Sequence, residues 1–316
     1  MTCSLRTSAL LQTSLYFSKR NTYCFQTGEK MFSIAANVRN SLGECPLWCE
    51  RTRRVYWTDI EGSELLALEE GSGIVMRWSL PERLGSFAFT EKDDVLLMGL
   101  ASRLGFYELS TGSFTKVADS PGDSGTRIGD GRCDRFGNFI FGTMDDSYPV
   151  KAVGQFHRLN SVKMSIETLS LPRVAIPNSI CFSPDGGTMY YSDSMQGRIF
   201  CCDYPSLNNQ RVFTETEGKG APDGSCVDAM GYLWNAEWGG NRLVRYKPDG
   251  TTDTILPSPG IQSTCPTLAG EEFTTLYCTS ASVGLPEPSK HDGALLKANS
   301  AVFSGLPESR FSTYEM

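Results

Sequence analysis

Apolar positions in this chain come in short runs, and hardly any window repeats them at the three-to-four-residue spacing of a helix face. From Met31 onward, strand-sized runs rich in aromatic and branched residues recur: Val55-Tyr56-Trp57-Thr58-Asp59, Val95-Leu96-Leu97-Met98-Gly99 and Phe139-Ile140-Phe141-Gly142-Thr143. Met189-Tyr190-Tyr191-Ser192-Asp193, Tyr232-Leu233-Trp234-Asn235-Ala236 and Thr275-Leu276-Tyr277-Cys278-Thr279 continue the series. Their starts lie 40–50 residues apart. That is the period of a four-stranded propeller blade and is too short for a repeated helix-strand unit. Turn signals such as Asp134-Arg135-Phe136-Gly137-Asn138 and Ser183-Pro184-Asp185-Gly186-Gly187 precede several runs. The pattern predicts an all-β fold, a six-bladed β-propeller occupying residues 31–316 as one domain. A strand around residues 33–38 is expected to close the ring by pairing with the last blade, because an open ring leaves free sheet edges.

Residues 1–30 read as an N-terminal extension. They are basic (Arg6, Lys19, Arg20, Lys30), hold a single acid at Glu29 and are rich in Ser and Thr. Their apolar part is cut by Gln12-Thr13-Ser14, a poor signal-peptide core. The reading is an upstream extension with Met31 as the working start and a cytoplasmic protein; the alternative is a mitochondrial transit peptide. A net charge of −7 over 316 residues argues against nucleic acid and anionic membranes as partners. No stretch reaches membrane-spanning length. The 11 cysteines form no Cys-x-x-Cys pair, and two histidines are too few for a zinc site of Cys/His type, so reduced thiols are expected.

Candidate chemistry centres on Ala221-Pro222-Asp223-Gly224-Ser225, read as an acidic turn at the mouth of a strand. Polar groups also occur in Leu42-Gly43-Glu44-Cys45-Pro46, Arg127-Ile128-Gly129-Asp130-Gly131 and Pro177-Asn178-Ser179, each expected as a loop leading into an inner strand. Two carboxylates and an amide oxygen from separate blades would make a hard-oxygen site suited to Ca²⁺, Mg²⁺ or Mn²⁺, with Zn²⁺ less matched. Singly, Glu44 and Asn178 could serve as local caps, and Asp130 and Asp134 as turn acids. No Gly-x-Ser-x-Gly or nucleotide fingerprint occurs.

Taken in order, Leu42-Gly43-Glu44-Cys45-Pro46-Leu47-Trp48, Arg127 to Asp134, Phe141-Gly142-Thr143-Met144, Pro177-Asn178-Ser179 and Pro222-Asp223-Gly224 resemble the senescence-marker-protein/gluconolactonase/luciferin-regenerating-enzyme family, which includes regucalcin-like sugar lactonases. The resemblance runs from about Asn37 to Phe311 and implies a six-bladed propeller. It further implies one divalent metal ion (Ca, Zn, Mg or Mn) held by Glu44, Asn178 and Asp223. Asp223 would also donate and accept the proton, and Arg127 would orient the sugar. The implied activity is metal-dependent opening of a small-molecule sugar (aldono-)lactone, such as gluconolactone, to the aldonic acid. One departure concerns substrate: Gly129 stands where many members have Asn. The family's second substrate-contacting acid usually follows Gly-Thr-Met; Asp145, Asp146 and Ser147 occupy that region, and Asp146 is the candidate. The alternatives are a non-catalytic calcium-binding or interaction propeller, and a metal hydrolase acting on a non-sugar ester or organophosphate. The oligomeric state stays open.

Overall fold

The computed structural model describes residues 31–218, 220–299 and 304–313, so the extension 1–30 lies outside the described residues. Among them are six four-stranded antiparallel sheets. The innermost strands, one per sheet, are Gly43–Cys49, Leu84–Phe89, Thr126–Cys133, Pro177–Phe182, Ala221–Val227 and Ser263–Ala269, which define blades 1 to 6. Each packs against the next, and Ser263–Ala269 returns to Gly43–Cys49, giving a closed six-bladed propeller. The strand Ser33–Ala36 pairs antiparallel with Leu295–Asn299 and completes blade 6, so the ring is fastened where the sequence places the closure.

The six apolar runs form the second strand of each blade, buried on both faces between neighbouring sheets. Burial fades outward: Thr126–Cys133 is almost wholly buried, whereas Phe114–Asp119 on the rim has no buried residue. Turn acids hold the blades' hairpins. Asp134 accepts from the backbone N–H of Phe136 and Asn138, and Asp228 from Met230 and Tyr232. Asp59 and Asp193, at the ends of equivalent strands, accept from Ser41 and Leu42 and from Ala175 and Ile176, pinning the chain as it enters blades 1 and 4.

The closing segment crosses one end of the channel. Glu308 pairs with the buried Arg132 at 3.3 Å, Arg310 donates to the carbonyl of Thr90, and Phe311 is fully buried against Phe106. All nine described cysteines are free and buried. No helix among the described residues is long and apolar enough to cross a membrane.

Candidate active site

The segments expected as loops before the inner strands are those strands. Pro222-Asp223-Gly224 lies within Ala221–Val227 rather than in a turn, and Glu44, Arg127, Gly129 and Asn178 likewise lie in strand. The turn-like composition has a different cause. Register slips between Glu44 and Leu47, Ile128 and Gly131, Asn178 and Cys181, and Pro222 and Ser225. An inner strand has a free edge toward the channel, so it tolerates Pro, and each bulge re-aims side chains toward the axis. Cys45 (φ 48°) and Ser179 (φ 59°) take the left-handed conformation without being glycine, a local strain held by the surrounding fold.

These bulges surround one cavity of about 300 Å³. It sits at the small end of ligand pockets, which run from about 300 to 1,000 Å³, and so suits a single small ring. Glu44, Arg127, Gly129, Asp130, Asn178, Ser194 and Asp223 line it, with Leu42, Ile60, Met144, Ile176, Met195 and Trp238 as apolar wall. Glu44, Asn178 and Asp223 thus come together from blades 1, 4 and 5. The carboxyl groups of Glu44 and Asp223 hydrogen-bond each other. Burial raises the Glu44 pKa to about 8, with the charge of Asp130 adding to it. Asp223 is pushed well above the usual carboxylate range by burial, then by Glu44 and Asp130. Asp130 is itself raised by burial, while the backbone N–H of Ile180 donates to it. Among the described residues, no three His, Cys, Asp or Glu side chains converge as a metal-ligand group. Glu44, Asp223 and Asn178 bring two carboxyl groups and one amide to the cavity.

Blades 4 and 5 are clipped together behind these groups. The amide nitrogen of Asn178 donates to Ser194 Oγ at 2.9 Å, and Ser194 Oγ donates to the Pro222 carbonyl at 2.7 Å. That commits Nδ2 of Asn178 and leaves its Oδ1 as the acceptor. Ser179 Oγ donates to the Asp223 carbonyl at 2.5 Å, and Asn235 Nδ2 donates to that carbonyl and to Ser179 Oγ. Ser194 and Asn235 carry no motif and were not legible in the sequence.

At the mouth, Arg127 donates Nη1 to the Ile128 carbonyl, and its Nε lies 3.4 Å from Asp146 Oδ1. Burial and the nearby Arg83 both work against its charge. Gly129 lines the cavity, and an added Cβ would sit there in ordinary contact, nothing nearer than Met144 Sδ at 3.7 Å. His157 is fully buried, stacked on Phe141, bonded to Thr143 and Thr168 and pushed down to about 4 by burial, so it is a core residue. Cys45 is pushed up by burial and Cys181 to about 12, which keeps the thiols near the axis protonated.

Residues 42–282 match the family model described as SMP-30/Gluconolactonase/LRE-like region. The L-arabinolactonase of Azospirillum brasilense is 44% identical over 289 residues, covering 89% of this chain and 95% of that protein. The 6-deoxy-6-sulfogluconolactonase of Pseudomonas putida is 32% identical over 251 residues, covering 76% and 83%. A solved structure of a calcium-binding protein, regucalcin, from Agrobacterium tumefaciens superposes with a TM-score of 0.81 at 29% identity, covering 88% of this chain and 96% of that one. The chain belongs to the SMP-30/gluconolactonase/LRE-like family.

Proposed function

We propose that the chain is a divalent-metal-dependent lactonase that opens a sugar lactone to its aldonic acid. The observation that carries the reading is the meeting of Glu44, Asn178 and Asp223, from three blades, at one small cavity rimmed by Arg127. The sugar lactonases among the relatives support the substrate class.

The donor chemistry fits a hard divalent cation. Glu44 and Asp223 are buried side by side with Asp130 adding to their repulsion, an arrangement that water cannot relieve and a divalent charge would. Asn178 adds a neutral oxygen, and a set of two carboxylates and one amide leaves positions open for water and substrate. Glu44, Asn178 and Asp223 would hold the ion, with Ca²⁺, Mg²⁺ and Mn²⁺ better matched than Zn²⁺. When bound, such an ion supplies Lewis-acid polarisation of the lactone carbonyl and charge balance for the oxyanion.

The protein's own groups carry the rest. Arg127 Nη2, which makes no hydrogen bond among the described residues, donates to a ring hydroxyl and fixes the ring's orientation. A carboxylate oxygen of Asp223 takes a proton from water as the water oxygen bonds to the lactone carbonyl carbon. The ring carbon–oxygen bond then breaks, and the proton on Asp223 passes to the departing ring oxygen. The product is a hydroxy acid that ionises and releases one proton. Leu42, Ile60, Met144 and Trp238 surround these events with apolar wall, which strengthens every charge interaction inside.

Base uptake with glucono-, galactono-, arabinono- and xylonolactone tests the reading, run after chelation and again after adding back each divalent ion. Metal-restored opening of at least one lactone is expected. Absence of turnover with every ion and lactone, in a folded protein, leaves a binding-only propeller as the better account.

A further inference from the structure

Arg83 belongs to an ion-pair chain that leads into the site. It precedes the innermost strand of blade 2 and donates Nη2 to Asp146 Oδ2 at 2.5 Å, while its Nη1 lies 3.6 Å from Glu61 of blade 1. Asp146, just past the second strand of blade 3, uses its other oxygen on Arg127 Nε at 3.4 Å. Four side chains from three blades are therefore linked along one side of the mouth.

An isolated surface pair carries little energy and needs no function. Three observations set this one apart. The segment bearing Arg83 is fixed: the Arg83 carbonyl accepts from Ala101 N at 2.8 Å, and Glu82 accepts from Ser102 Oγ at 2.7 Å and pairs with Arg103 at 2.7 Å. The same blade grips the backbone next to Arg127. Ser86 Oγ donates to the Gly129 carbonyl at 2.8 Å, and Gly85 lies so close that an added Cβ would stand 2.5 Å from the Ile128 carbonyl. Asp146, by contrast, opens an exposed excursion in which Tyr148 is 96% exposed. Beyond the bond from its N–H to the Gly125 carbonyl, Arg83 is the contact other than Arg127 itself that holds its carboxylate over the mouth.

We propose that Arg83 is a positioning residue for substrate recognition: through Asp146 it fixes the guanidinium plane of Arg127, so that Nη2 is presented to the ring hydroxyls of a sugar lactone. The inference rests on the lactonase reading and adds a residue from blade 2. With Nη1 committed to Ile128 and Nε to Asp146, one edge of Arg127 remains for ligand, and its direction is set by a carboxylate that Arg83 anchors. Loss of Arg83 leaves Asp146 free to turn to solvent, and Arg127 loses one of its two restraints. Binding suffers, while the reacting centre around Asp223 is untouched.

The test uses the full chain loaded with its divalent ion, as wild type, Arg83→Ala, Arg83→Gln, Arg83→Lys, Asp146→Asn and the double variant Arg83→Ala/Asp146→Asn. KM and kcat are measured on the lactone the wild type opens best. Dissociation constants are measured calorimetrically for the matching lactam, which cannot be hydrolysed in the same way. Arg83→Ala and Arg83→Gln are expected to raise KM and the lactam dissociation constant about five- to tenfold with kcat within about twofold, the scale of one charge-assisted contact. Arg83→Lys recovers most of the loss. Asp146→Asn shows the same loss, and the double variant adds less than about twofold to it, the non-additivity of a shared path. Melting temperatures stay within about 2 °C of wild type, as a partly exposed pair requires. Unchanged KM and lactam affinity in Arg83→Ala and Arg83→Gln overturn the proposal, as do additive losses in the double variant. A wild type that neither opens nor binds any lactone overturns the lactonase reading itself, a result distinct from a working wild type with indifferent Arg83 variants.

Discussion

Replacing Asp223 with Asn separates the stability of the buried acids from their use. The substitution keeps the shape of the side chain and removes one of two carboxylates that hydrogen-bond each other out of water. At an effective dielectric of about 20, two like charges roughly 4 Å apart cost about 4 kcal/mol. The wild type escapes part of that cost by retaining a proton. Glu44 has its pKa raised from 4.5 to about 8, so the stability tied to its protonated form is fully present below about 4.5 and is lost as pH rises through about 8. In chelator, wild-type stability therefore falls between pH 5 and 9. Asp223→Asn, free of the repulsion and able to donate its amide to Glu44, falls less. At pH 9 the variant should be more stable by about 2–4 kcal/mol, or about 3–7 °C in Tm for a chain of this size. With saturating divalent ion the order reverses, because the ion binds the ionised pair of the wild type. Lactone opening by the variant should fall by at least about a thousandfold. Differential scanning calorimetry from pH 5 to 9, with chelator and with metal, reads the stabilities, and base uptake reads the lactone opening. A variant less stable than wild type at pH 9 in chelator refutes the electrostatic reasoning.

Further expectations follow from the contacts around the site. Ser194→Ala removes the hydroxyl that commits the Asn178 amide, and divalent-ion affinity measured by calorimetry should weaken about tenfold with little change in Tm. Glu308→Ala leaves the buried Arg132 without its carboxylate and should cost about 3–5 kcal/mol, read as a lower denaturant midpoint. Gly129→Asn places its Cβ without a close contact and should fold as the wild type does; it is expected to shift relative kcat/KM among aldonolactones by about tenfold, with equal ratios refuting a role for that position in sugar choice.

The blades were legible because their second strands are buried on both faces and must be apolar, branched and aromatic, as in Val55-Tyr56-Trp57 or Met189-Tyr190-Tyr191. The innermost strands were misread as loops for an equally physical reason. Their edge faces the channel, where Pro and bulges are tolerated, and neighbouring backbones come so close that Gly is required: a Cβ on Gly85 would stand 2.5 Å from the Ile128 carbonyl oxygen. Glu44, Asn178 and Asp223 could be picked out by motif, but their meeting depends on bulges that composition does not reveal. Asp146 was placed by resemblance, and its pairing with Arg127 is a finding of the structure. Arg83, Ser194 and Asn235 were silent because each acts across blades, with Asp146 63 positions after Arg83 and Asn235 56 positions after Ser179.

The claim that three oxygen-bearing side chains share one cation is tested most directly by titrating Ca²⁺, Mg²⁺, Mn²⁺ and Zn²⁺ into chelated protein by calorimetry. The wild type should bind at least one of these ions at one per chain, with Glu44→Gln, Asn178→Ala and Asp223→Asn each weakening it by at least about tenfold and lowering lactone opening alongside. Tight binding that survives all three substitutions, or full lactone opening by wild type shown by elemental analysis to carry no metal, would contradict it.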